Sequence, residues 1–242
     1  MKRLTLLLVP VVVTGLAACS PAPRDDTPPP VKPLKVYADS ALTETFTRIG
    51  KDFKATKGGV EVEFVFGASS ALQNQLGDAD VFASASREHM KFDSKVFASN
   101  RLVLALPQGN PKNVRVFDSF AQGADQRSFA MCAAEEPCGA AARAALANAG
   151  PADPPAAKAV GQDVKQTLAK LTSGEVDSAF VYASDVKTNP ALIAVPMRAA
   201  GGEPLRFPIA VVSGSPESKR FYDYVFSEPA RKVLTDAGFE LP

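Results

Sequence analysis

Residues 34–53 read LKVYADSALTETFTRIGKDF, and this stretch sets the pattern for most of the chain. Residues 35–38 predict a short strand. Apolar residues then recur at spacings of 4, 3 and 4, as on one face of an amphipathic helix: Leu42, Phe46, Ile49 and Phe53. The stretch therefore predicts a strand followed directly by a helix.

The alternation of strand and helix continues to the C-terminus. Further strands are predicted at 60–66, 80–83, 102–106, 129–131, 179–182, 192–195 and 209–212. Helices are predicted between them, at 69–76, 139–149 and 164–171, and again in the C-terminal segment around Phe221 and Leu234. Repeated strand–helix units predict an α/β fold with mainly parallel sheets.

The composition is that of a globular protein, with 46% hydrophobic and 22% charged residues in a chain of 242. Lys and Arg number 27 against 26 Asp and Glu, so the net charge of +1 offers no basic surface for nucleic acid. One His and three Cys are too few for most histidine-based metal or acid–base sites. The length accommodates one large domain or two lobes of about 100 residues each.

Residues 1–18 predict a secretory signal peptide. Lys2 and Arg3 precede an apolar run that ends in small residues at Ala18. The run is shorter than the roughly 20 residues that a membrane-spanning helix needs.

Residues 19–33 predict a lipid anchor and a tether. The sequence Leu16-Ala17-Ala18-Cys19 resembles a bacterial lipobox, which implies that a lipidated Cys19 begins the mature chain. The alternative is a plain signal peptide with an incidental cysteine. The prolines that follow indicate an extended tether of up to about 40 Å. We therefore expect an extracytoplasmic protein that is anchored to the outer face of the cell membrane.

Cys132 and Cys138 remain once Cys19 carries lipid. An even pair of cysteines outside the cytoplasm predicts a disulfide, which is worth about 2 kcal/mol for so short a loop. A metal site on two thiols is the weaker alternative, because no histidine or third cysteine lies near in the sequence. No metal and no cofactor are expected.

Motifs of catalysis are absent, since the chain contains no G-x-S-x-G, P-loop, H-E-x-x-H or C-x-x-C sequence. The only imidazole, His89, is predicted to be a solvated residue at the start of a helix. A Ser-His-Asp triad therefore has no support, and the chain is predicted not to be an enzyme.

Four predicted helix starts carry small or hydroxyl residues: 39–41, 68–70, 137–139 and 163–164. In an α/β sheet such starts lie at the carboxyl edge, where ligands bind. Their free N–H groups favour an anion. For each start taken alone, ordinary helix capping is the alternative explanation.

Ordered segments of the chain carry a resemblance to a known family. They are VYADSALT at 36–43, FGASSAL at 66–72, ADVFASA at 79–85, PCG at 137–139, DV at 163–164 and FVYASD at 180–185. In order and spacing they resemble the periplasmic molybdate-binding proteins of ABC importers.

The resemblance implies a two-lobed periplasmic-binding-protein fold of type II, with a ligand cleft between the lobes. By this resemblance, lobe 1 comprises 34–103 and 213–242, and lobe 2 comprises 104–212. The segments 102–106 and 208–212 are expected to cross between the lobes.

The resemblance also implies that neutral donors bind a molybdate or tungstate oxyanion. The corresponding positions are Ala41, Ser69, Cys138, Val164 and Tyr182. At Cys138 and Val164 the donor is the backbone N–H. The implied partners are the oxyanion and an ABC permease in the membrane, and a monomer is expected.

One position departs from the family pattern, because Ala41 stands where the family commonly has serine. Ser40 is the nearest hydroxyl, and either its Oγ reaches the anion or the site has one donor fewer. Asp39 is expected to point away from the cleft. The alternatives are binding of another oxyanion such as sulfate or phosphate, a hydrolase-like lipoprotein, and an envelope lipoprotein with a vestigial cleft.

Overall fold

The stretch at 34–53 forms strand β1 (Leu34–Asp39), a short 3-10 helix (Ser40–Leu42) and helix α1 (Thr43–Lys54). They belong to a computed structural model that describes residues 32–56, 58–150, 153, 155–197 and 203–242. The predicted signal peptide, Cys19 and nearly all of the tether lie outside the described residues. Within the described part, no helix has the length and apolar character needed to cross a membrane.

The first sheet has five strands and is mixed. Besides β1 it contains β2 (Val62–Gly67), β3 (Val81–Ala83), β4 (Lys95–Asn100) and β10 (Leu205–Val211). The spatial order is β2-β1-β3-β10-β4. Strand β1 runs parallel to β2 and β3, whereas β10 runs antiparallel to β3 and β4.

The second sheet repeats this arrangement. It contains β5 (Leu102–Pro107), β6 (Phe129–Cys132), β7 (Ala159–Gly161), β8 (Ser178–Tyr182) and β9 (Leu192–Pro196). The spatial order is β7-β6-β8-β5-β9. Strand β6 runs parallel to β7 and β8, whereas β5 runs antiparallel to β8 and β9.

Helices follow most of the parallel strands. Those after parallel strands are α1, α2 (Ser69–Leu72), α4 (Pro137–Ala149), α5 (Val164–Thr172) and α6 (Ala183–Lys187). Helix α3 (Phe117–Gln122) follows β5, and α7 (Pro216–Val225) and α8 (Glu228–Asp236) follow β10. A second short 3-10 helix spans Ala124–Gln126. Because a parallel strand ends at the same edge as its neighbour, the helix starts gather at one edge of each sheet.

Phenylalanines fill the core on each sheet. In the first, the apolar face of α1 buries Phe46, whose ring meets the edge of Phe221 from α7 at 6.3 Å between centroids. In the second, Phe180 on β8 meets Phe120 and Phe129 in edge-to-face contacts at 6.1 and 5.9 Å. Such edge-to-face pairs add to the free energy gained by burying apolar area.

The α/β fold class is confirmed, but the prediction of mainly parallel sheets is wrong. The sheets are mixed rather than mainly parallel, because β5 and β10 each run antiparallel to both of their neighbours. The predicted boundary of lobe 2 at residue 212 also differs from the sheet membership. Strand β10 pairs with β3 and β4, so residues 205–211 belong to the first sheet. The chain passes between the sheets after Asn100 and returns between Pro196 and Leu205.

Candidate functional site

The residues predicted to bind an anion all lie where a strand gives way to a helix. In the first sheet, Ser40 and Ala41 follow β1, and Ser69 begins the helix after β2. In the second sheet, Cys138 lies in the first turn of α4, Val164 begins α5 and Tyr182 ends β8. These strands are parallel within each sheet, which places the positions at carboxyl edges.

The carboxylate of Asp39 occupies the predicted donors of the first sheet. It accepts a hydrogen bond from the Ala41 amide at 3.0 Å and one from the Ser69 hydroxyl at 2.5 Å. Ser69 Oγ in turn accepts from the amide of Ala85 at 3.0 Å. The expectation that Asp39 points away is therefore wrong, because its side chain caps the turn after β1 and is only 4% exposed.

Burial raises the pKa of Asp39 to about 7, against the lowering effect of the bonds from Ser69 and Ala41. The carboxylates of Glu136 and Asp163 raise this pKa further. Glu136 precedes α4 and Asp163 precedes α5, so their charges act on Asp39 from the second sheet. Asp39 is thus a neighbour of helix starts from both sheets.

Two hydroxyl groups in the same region are buried without a hydrogen-bond partner, namely Ser40 Oγ and Tyr182 Oη. Ser40 directly follows Asp39, and Tyr182 is only 1% exposed. Burial, followed by the charges of Asp39, Asp185 and Glu136, raises the pKa of Tyr182 well above its ordinary value. The phenol is therefore a neutral donor. Buried hydroxyls without partners are uncommon and call for an explanation.

Helices α4 and α5 contribute backbone N–H groups. The first N–H groups of a helix have no partner within it, which applies to Cys138 in α4 and to Val164 in α5. A disulfide joins Cys138 to Cys132 at the end of β6, with 5.8 Å between the Cα atoms. It fixes the loop that leads into the first turn of α4.

Contacts also join the edges of the two sheets. The amide and the hydroxyl of Ser70 both donate to Glu136 Oε1, the amide at 3.3 Å. His89 Nε2 lies 3.0 Å from the carbonyl oxygen of Glu135, and His89 Nδ1 lies 3.0 Å from Gln73 Nε2. The prediction for His89 is therefore wrong, because its partly buried ring lies in a turn and links the two sheets.

Lys165, next to Val164 on α5, is bonded to two carboxylates. Its Nζ donates to Asp185 at 2.8 Å and to Glu44 on α1 at 2.8 Å. Burial opposes the charge of Lys165, but the two carboxylates outweigh burial and raise its pKa. Its charge therefore balances carboxylates of the protein.

The candidate site brings hydrogen-bond donors together with the carboxylates of Asp39, Glu136 and Asp163. In the described ranges, no group of three or more His, Cys, Asp or Glu side chains has a metal-binding arrangement. Sequence reasoning raised Asp39 as a question but overlooked Glu136. The position of Glu136 directly before Pro137, at the start of α4, is the sequence signal that could have revealed this residue.

Comparisons with known proteins identify the family of this chain. The family of bacterial extracellular solute-binding proteins matches residues 34–240. The molybdate-binding protein ModA of Mycobacterium tuberculosis is 32% identical, over 98% of this chain and 97% of that protein.

Two solved structures share the fold. The periplasmic molybdate-binding protein of Azotobacter vinelandii gives a TM-score of 0.70 at 18% identity, over 86% of this chain and 99% of that chain. The sulfate-binding protein SubI of Mycobacterium tuberculosis gives 0.69 at 15% identity, over 87% of both chains. This chain belongs to the family of bacterial extracellular solute-binding proteins that includes ModA.

Proposed function

We propose that this protein binds molybdate outside the cytoplasm and delivers it to an ABC permease in the membrane. The observation that carries the proposal is the pair of buried hydroxyls without partners, Ser40 Oγ and Tyr182 Oη. A bound oxyanion would accept a hydrogen bond from each and so explain why they are buried.

The chemistry of the ligand follows from these donors. Molybdate, tungstate and sulfate carry two negative charges and no proton at neutral pH, so they need donors only. Fixed hydroxyl and amide groups in a site without water can hold such an ion, with bonds that are stronger than those between neutral partners. We assign the hydroxyls of Ser40, Ser69 and Tyr182 to the ligand, with the N–H groups of Ala41, Cys138 and Val164. Ser40 would supply the hydroxyl that Ala41 lacks.

The choice of molybdate rests on the 32% identity to ModA along almost the whole chain. Tungstate has the same charge and shape and is expected to bind as well. Sulfate is the alternative within this class, since the fold is shared with SubI. We further propose that Cys19 carries the lipid that anchors the protein, and that the protein acts as a monomer.

One observation favours a second candidate, an envelope lipoprotein whose cleft binds no ligand. The Asp39 carboxylate already accepts from Ala41 and Ser69, so two of the proposed donors have an internal partner. In that case, no oxyanion would bind.

Calorimetry tests both candidates on the purified protein with molybdate, tungstate, sulfate and phosphate. Molybdate is expected to bind most tightly, with a dissociation constant of about 1 μM or lower. Tighter binding of sulfate or phosphate would reassign the ligand. No heat with any of the four anions would favour the vestigial cleft.

A further inference from the structure

The side chain of Asp39 lies where part of the ligand's own hydrogen bonds should form. Its two oxygens accept from the Ala41 amide and the Ser69 hydroxyl, at 3.0 and 2.5 Å. Both groups are among the donors assigned to the oxyanion. In this structure, a carboxylate of the protein therefore occupies two of the donors that the anion would need.

The charges that face Asp39 are mostly negative. Glu136 acts from the start of α4 and Asp163 from the start of α5. The neutral phenol of Tyr182 faces it from the end of β8. Lys165, the cation beside Val164, is already bonded to Glu44 and Asp185. None of these groups offsets the charge of an ionised Asp39.

An ion with two negative charges would therefore meet an ionised carboxylate at its own donors, in a site that is shielded from water. Repulsion between like charges is strongest where water is excluded. A protonated Asp39 removes this repulsion. It also weakens the bonds from Ala41 and Ser69, because their acceptor is no longer charged, so the ligand can compete for both donors. Its O–H group then becomes one more donor to the ligand.

We propose that a fully ionised oxyanion binds together with one proton, which Asp39 takes up. This inference rests on the proposed function and adds a determinant of affinity to the same site. The balance is simple: the Asp39 carboxylate gains one proton from solvent and donates it in a hydrogen bond to a ligand oxygen. No covalent bond to the ligand forms or breaks.

The expected signature is an affinity that falls as the pH rises. If only protein with neutral Asp39 is competent to bind, the apparent dissociation constant is divided by the neutral fraction. With a pKa of about 7 for Asp39, molybdate should bind about 25-fold more weakly at pH 8.5 than at pH 6.5. Calorimetry at pH 8.5 in buffers of different ionisation enthalpy should show uptake of about one proton per anion.

Variants identify the group that titrates. Asp39→Asn keeps the capping of the turn, since Asn caps as well as Asp. This variant should bind molybdate with less than a threefold change between the two pH values, and more tightly than wild type at pH 8.5. The first control is His89→Gln, which removes the only imidazole of the chain. The second control is Asp236→Asn, which removes an exposed carboxylate of α8. In both control variants, the affinity for molybdate should still fall as the pH rises.

The outcomes separate this inference from the proposed function. Molybdate binding at constant affinity without proton uptake would overturn the role of Asp39 and leave the proposed function standing. A fall in affinity that disappears in His89→Gln would assign the proton to the imidazole instead. Failure of every anion to bind at both pH values would overturn the proposed function itself. If Asp39→Asn does not fold, the number of protons that the wild-type protein takes up with each molybdate decides whether the inference holds.

Discussion

At the scale of single residues, the site contains groups whose burial gives no benefit to the protein alone. Tyr182 Oη has no partner although its side chain is among the largest that are fully buried. A buried polar group without a hydrogen bond costs about 1–3 kcal/mol. Such a cost is reasonable where the missing partner is a ligand.

Tyr182→Phe tests that explanation. Removing a donor to an anion should cost about 1.5–3 kcal/mol, which weakens molybdate binding by roughly 10- to 150-fold. The melting temperature without ligand should stay the same or rise, because no hydrogen bond of the protein is lost. Tyr37→Phe is the matched control, since Tyr37 Oη donates to the exposed Asp78, and its affinity should not change. A Tyr182→Phe variant that binds like wild type would place the ligand elsewhere.

The sequence offered Ser40 and Tyr182 as candidates through a family resemblance and the motif that carries each of them. They could not reveal where the side chain of Asp39 turns. The orientation of the Asp39 side chain depends on the Ser69 hydroxyl, which is 30 positions away along the chain. Likewise, the contact of His89 with Glu135 spans 46 positions, and no local pattern records it.

At the scale of elements, segments with a clear apolar pattern were predictable, and a weakly apolar one such as strand β7 was not. Helix α1 has the predicted apolar face, with Phe46 and Ile49 fully buried. Strand β7, Ala159–Gly161, was missed because Val160 is its only large apolar residue, and that side chain is exposed. It exists through its pairing with β6, which lies about 30 positions earlier. Such pairing energy is tertiary and does not appear in local sequence.

The disulfide gives a prediction at this scale. The double variant Cys132→Ala/Cys138→Ala should lose about 2 kcal/mol of unfolding free energy in urea, from the loop closure that the bond supplies. Molybdate affinity should also fall several-fold, because the first turn of α4 loses its link to β6. Reduction of the wild-type protein should reproduce both effects, and a reductant should not affect the double variant. If the reduced protein binds molybdate with unchanged affinity, the loop between Cys132 and Cys138 does not help to position donors for the ligand.

At the scale of the whole molecule, the proposed binding depends on holding donors from two sheets against one ligand. Three contacts join the sheets beside the site: Ser70 with Glu136, His89 with Glu135, and Lys165 with Glu44. The fold class was predictable from the alternation of elements. The place proposed for the site follows from the same alternation, because the ends of parallel strands lie at one sheet edge. These three contacts were not predictable, since each joins residues from different sheets.

The bond between Lys165 and Glu44 allows the contribution of such contacts to be measured. Glu44 is more than half exposed, whereas the side chain of Asp185, the other partner of Lys165, is fully buried. Glu44→Gln should therefore cost less than about 1 kcal/mol of stability and weaken molybdate binding about 2- to 5-fold, with less effect at high salt. Lys165→Met leaves Asp185 without its cation and should cost about 3–5 kcal/mol in urea unfolding. Asp236→Asn, which breaks an exposed ion pair within α8, should leave the affinity unchanged. Equal affinities for Glu44→Gln and wild type at low salt would show that α1 and α5 are held together without this ion pair.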